Sequence, residues 1–172
     1  MAETIVDTVY KENKSVIEYL FEQQEVSFQQ DMDNKLKKIL LVSAASYFET
    51  RISEMLVSYF RQKTNNNENI VAFLKNKAIS RQYHSYFDWE RGTNINKFLS
   101  LFGDDFKREV SEEIRNCELD SSVRAFLKLG NLRNQLVHIN MAAFNIYLTG
   151  EEIYELYKEA LKLMDYLESK LA

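Results

Sequence analysis

The chain has 172 residues, enough for one domain with a sizeable core. With 45% hydrophobic and 28% charged residues it has the balance of an ordinary globular protein, which excludes collagenous and intrinsically disordered classes. The net charge of −4 disfavours nonspecific nucleic-acid binding, so any RNA contact needs a local basic patch.

There is no proline and there are only 4 glycines, which removes the main helix breaker and leaves little turn chemistry for a sheet. An all-α chain is expected. The single cysteine, Cys117, cannot form an internal disulfide, and Met1-Ala2-Glu3-Thr4 lacks the start of a signal peptide. The longest apolar run, Ile39 to Phe48, is interrupted by Ser43 and Ser46 and falls short of the ~18 residues of a membrane span. A cytoplasmic location without membrane attachment is expected.

In chain order, Ile5, Val9, Val16 and Leu20 predict a first helix over 4–30. Leu41, Phe48, Ile52, Met55 and Tyr59 predict a long second helix over 31–63, with Glu49 on the margin of its apolar face. Thr64 to Glu68 reads as a loop, and 69–80 as a shorter third helix. Tyr83 to Trp89 is dense in aromatics and holds His84; these rings are expected to pack against the rest of the chain. Asn94 is a candidate cap for a short helix through Phe102, and Gly103-Asp104-Asp105 restarts another to about Asn116. Asp120 or Ser121 is the expected cap of the next helix. Thr149-Gly150-Glu151-Glu152 reads as a capping box that launches the last one, which carries Ile153, Leu156, Tyr157, Leu161, Met164 and Leu167. The sum is one domain over 1–172, a four-helix bundle with a region of shorter helices inserted at about 64–118.

The chemistry concentrates in Leu132-Arg133-Asn134-Gln135-Leu136-Val137-His138. On a helix Asn134 and His138 share a face, while Arg133 sits about 140° round from His138. Phe126, Leu129, Leu132 and Leu136 form the apolar arc, and Arg133 lies at its edge, a permanent charge that needs a partner or a purpose. One reading is a flank histidine beside a buried, salt-bridged arginine. The other is catalytic: an imidazole that moves protons near neutral pH, with a guanidinium fork that grips phosphate. That set suits RNA cleavage by the 2′-hydroxyl, which needs no external nucleophile. No His, Cys, Asp or Glu cluster has metal-ligand spacing, so neither metal nor cofactor is expected. Arg81, Lys75 and Lys77 are read as solvated rather than as phosphate contacts. Transesterification prefers both a base and an acid, and one motif histidine per chain suggests a homodimer with two motifs in one cleft; Val123, Leu127 and Val137 are candidates to line its interface. Glu49 is the candidate countercharge for Arg133 or His138.

With Arg133-Asn134-x-x-x-His138 identified, the chain resembles the HEPN superfamily (higher eukaryotes and prokaryotes nucleotide-binding domains), over about 1–63 and 119–172. The resemblance implies a metal-independent RNA endonuclease, a toxin or defence effector, acting as a homodimer with RNA as substrate and with an antitoxin or operon partner. It makes Arg133 and His138 catalytic, with Asn134 in support and Glu49 a loosely matching acidic position. Two features depart from the family pattern: Ile139-Asn140 follows the histidine where many relatives have glycine, and the 64–118 region is longer than in minimal members. The alternative is a non-catalytic module of the same fold that binds a nucleotide or a partner protein.

Overall fold

The computed structural model describes residues 3–139 and 143–172; Met1, Ala2 and Asn140, named above, lie outside them. Among the described residues every regular element is helical. The long helices are α1 (Ile5–Glu22), α2 (Val26–Lys63), α7 (Asp120–His138) and α8 (Gly150–Lys170). Between α2 and α7 lie α3 (Glu68–Leu74), α4 (Tyr83–Tyr86), α5 (Asn96–Leu99) and α6 (Asp104–Asn116).

The 38 residues of α2 span about 57 Å and form the axis of the bundle. Phe48 and Ile52 of α2, Phe126 and Leu129 of α7, and Tyr157 and Leu161 of α8 are almost wholly buried and meet in one core. α1 packs on α2 and α8 through Val6 and Tyr10, whose ring stacks on Tyr154 with centroids 3.9 Å apart. Arg51 of α2 grips Glu168 through two nitrogens and Asp165 through one, which fixes the rotation of α8 against α2. The inserted segment contributes its own apolar layer. Phe87 lies between Phe98 and Phe126, at 5.2 and 4.9 Å.

Several expected boundaries move. The predicted first helix over 4–30 is two helices, because Gln24 adopts φ 59. The amides of Gln24 and Glu25 then bond back to Phe21 and Leu20, closing a Schellman turn without glycine. Asn65 and Glu118 end α2 and α6 in the same way, with φ 51 and 55. The third helix is α-helical only to Leu74 and continues as a π-helical turn over Lys75–Ile79. Asn94 accepts from the Asn96 amide, but the helix it leads is a single α turn followed by a 3₁₀ turn over Ser100–Phe102. Neither Asp120 nor Ser121 caps α7; Leu119 holds that position, and the hydroxyls of Ser121 and Ser122 donate to Glu159 of α8. The Thr149–Glu152 capping box is present, and a second one joins Thr4 and Asp7.

Asp7 is buried, and it ties the start of α1 to α8. Its carboxylate accepts from the Thr4 amide and hydroxyl at 2.7 Å each, from Tyr154 at 2.6 Å and from Lys158 at 3.3 Å. Burial alone raises its pKa; the hydrogen bonds outweigh that and hold it well below the ordinary 3.8. A depressed carboxylate stabilises the fold above its unfolded pKa and loses that contribution as pH falls through the folded value. Asp7→Asn is therefore expected to cost about 2–3 kcal/mol at pH 7. In urea denaturation the gap between variant and parent should narrow as pH drops below 3.8.

Candidate active site

The site is organised by the contact between Gly130 of α7 and the ring of Trp89. A Cβ at Gly130 would fall among the carbons of that ring, so only glycine lets the indole lie against the helix backbone. The Trp89 Nε1–H donates to the carbonyl of His84 at 2.9 Å, and the Tyr86 hydroxyl donates to the carbonyl of Ala78. Trp89 also packs on Phe126 and Phe87. These contacts lay the segment from Arg81 to Trp89 along α7, next to the motif. The π-helical turn before it and the left-handed Arg81, at φ 64, redirect the chain onto that face. For a side chain as large as arginine that backbone conformation costs roughly 1–2 kcal/mol.

A cleft of about 550 Å³ opens between this segment, α2 and α7. Gly130, Arg133, Asn134, Val137 and His138 line it from α7, in the i, i+3, i+4, i+7, i+8 pattern of one helical stripe. Ala45 and Glu49 line it from α2, one turn apart. Arg81, Tyr83 and His84 line it from the inserted segment. His138 and His84 are exposed, whereas Arg133, Asn134 and Glu49 are half-buried. The cleft thus concentrates two arginines, both histidines of the chain and one carboxylate in a protein of net charge −4.

The charges in the cleft sense one another. Desolvation pushes the Tyr83 phenol well above its ordinary 10.0, the negative Glu49 adds to the rise, and Arg133 opposes it. Tyr83 therefore stays protonated across the physiological range. Among the described residues Glu49 and Arg133 make no ion pair. Arg133 Nη1 instead donates to Asn134 Oδ1 at 3.3 Å, which leaves the rest of the guanidinium free to bond a ligand.

The sequence expectations meet this geometry unevenly. Glu49, Arg133, Asn134 and His138 share one cleft, as the juxtaposition of charge suggested. Arg133 is not a core misfit: it faces the cleft. Asn134 bonds Arg133 rather than the imidazole. Val123 and Leu127 are buried inside the chain and so offer no interface, while Val137 is 52% exposed. Sequence reasoning weighed Arg81, Tyr83 and His84 but gave none of them a place in the site. The available signal was the position of His84 inside the densest aromatic segment, together with a glycine in the motif helix for an aromatic ring to approach. Among the described residues no three His, Cys, Asp or Glu side chains converge as a metal would require.

A bundle of long helices with Arg133-Asn134-x-x-x-His138 at the end of α7, facing an open cleft, defines a HEPN-type domain. The chain belongs to the RiboL-PSP-HEPN family, whose sequence profile it matches over residues 7–172. Comparison with curated proteins and with solved structures gives no match.

Gly130→Ala is expected to force Trp89 off α7, costing about 1–3 kcal/mol as an overpacking change. Trp89 is the only tryptophan, so a red-shifted, more quenchable emission reports the displacement directly.

Proposed function

We propose that the protein is an RNA endonuclease that cleaves by attack of the substrate's own 2′-hydroxyl. The O2′–P bond forms and the P–O5′ bond breaks, leaving a 2′,3′-cyclic phosphate and a 5′-hydroxyl. One proton leaves the 2′-hydroxyl and one reaches O5′. His138 carries one of these transfers. Arg133 holds the phosphate and stabilises charge that develops on it, Asn134 positions Arg133, and Glu49 is the supporting carboxylate. The reaction needs no metal, because the nucleophile is part of the RNA. The observation that supports this most directly is that Arg133, with one intramolecular hydrogen bond, lines the same solvent-open cleft as His138. A sealed, fully ion-paired arginine would have supported a purely structural role.

The exposed Val137 and Ile139, at the end of α7 beside His138, support a homodimer with its motif clefts adjacent. A toxin or defence effector restrained by a partner protein is the biological role this chemistry suits. No helix among the described residues is long and apolar enough to cross a membrane.

The test is labelled RNA incubated with pure protein in EDTA. Cleavage to 2′,3′-cyclic ends is expected. His138→Ala and Arg133→Ala should each reduce it at least about 100-fold. Melting of the His138 variant should be unchanged, since that side chain is exposed. Failure to cut any RNA in a broad panel, with tight binding of a nucleotide or partner protein instead, would identify a non-catalytic module.

A further inference from the structure

Two proton transfers accompany the cleavage proposed above, and the motif supplies a single imidazole. The cleft contains a second one from the same chain. His84 stands on the inserted segment, across the cleft from α7, with its imidazole exposed. Its backbone is pinned by the Trp89 hydrogen bond at 2.9 Å, and Trp89 in turn rests on Gly130, one turn before Arg133 and Asn134. The two histidines of a 172-residue chain thus line one opening, one from the inserted segment and one from α7.

We propose that His84 is a catalytic residue, forming with His138 of the same protomer the acid–base pair that brackets the scissile phosphate. This rests on the ribonuclease reading of the cleft. In the first step one imidazole, neutral, takes the proton of the 2′-hydroxyl as O2′ attacks phosphorus. The other, protonated, gives its proton to O5′ as the P–O5′ bond breaks. The pair ends with its protonation states exchanged and is reset by solvent.

The other groups facing the cleft do not supply the missing function. Arg81 and Arg133 are hydrogen-bond donors only and serve as phosphate contacts. Tyr83 is held protonated by burial and by the charge of Glu49. Glu49 is one competitor, and in the homodimer proposed above the partner's His138 is another; in either case His84→Ala would keep the parental rate. The proposal makes each protomer's cleft complete in its proton-transfer groups, and it gives the inserted segment a chemical part in the reaction.

The test compares parent, His84→Ala, His138→Ala and Glu49→Gln on one RNA, reading kcat and KM from pH 4 to 9. A second substrate has sulfur in place of O5′ at the cleaved bond, and this group leaves without a proton. Trp89 emission and melting temperature serve as controls for the fold. His84→Ala should lower kcat at least about 100-fold, with KM changed less than about threefold. It should also convert a bell-shaped pH profile into one with a single limb. The sulfur substrate should rescue one of the two histidine variants, the one lacking the acid, and not the other. If His138→Ala is inactive while His84→Ala keeps the parental rate and bell, the proposal is overturned and the nuclease reading survives. The same holds if Glu49→Gln rather than His84→Ala removes a limb, or if the sulfur substrate affects both histidine variants alike. A parent protein that cuts no RNA overturns both.

Discussion

The site depends on one close approach, the indole of Trp89 against the bare backbone of Gly130. Together with the packing of Phe87 on Phe126, that contact sets the inserted segment against α7. With it, Arg81, Tyr83 and His84 form a wall facing the motif. The same ring packs on Phe126 and Phe87, so the hydrophobic energy that docks the insertion also shapes the cleft.

Electrostatics then follows from geometry. A half-buried arginine next to apolar helix faces is costly unless it is paired or solvated. Here Arg133 is solvated by the cleft itself and steadied by Asn134, rather than neutralised by Glu49. Glu49 stays close enough to act on Tyr83 through space, as Arg133 does with opposite sign. Positive charge is thus kept in the opening while the chain as a whole stays acidic. Among the described residues the ion pairs that hold the bundle lie elsewhere, Arg51 with Glu168 and Asp165 and Asp7 with Lys158, and none joins a cleft arginine to a carboxylate.

Much of this was legible in the sequence. The 3.6-residue periodicity, the absence of proline and the Thr149–Glu152 box predicted an all-helical bundle, and the Arg133-Asn134-x-x-x-His138 spacing picked out residues that line one cleft. What escaped was decided by tertiary contact. Gln24 and Glu118 take left-handed caps that a sequence reader assigns to glycine or asparagine, so the α1–α2 break had no local signal. Arg81 reads as solvated and His84 as one member of a packing aromatic segment until the π-helical turn and the Trp89 contact place both at the cleft that α7 lines. Val123 and Leu127, candidates for an interface that periodicity alone cannot tell from core positions, belong to the chain's own core, because the motif helix is covered on more sides than a lone amphipathic stripe predicts.

The most direct measurement is a crystal structure with a short RNA whose 2′-hydroxyl is methylated at the cleavage position, so that it binds without reacting. The account predicts one backbone phosphate within hydrogen-bond distance of the Arg133 guanidinium, with the imidazoles of His84 and His138 from one protomer on either side of it. RNA bound on another surface, or a phosphate at Arg133 with His84 turned away from it, would contradict the account.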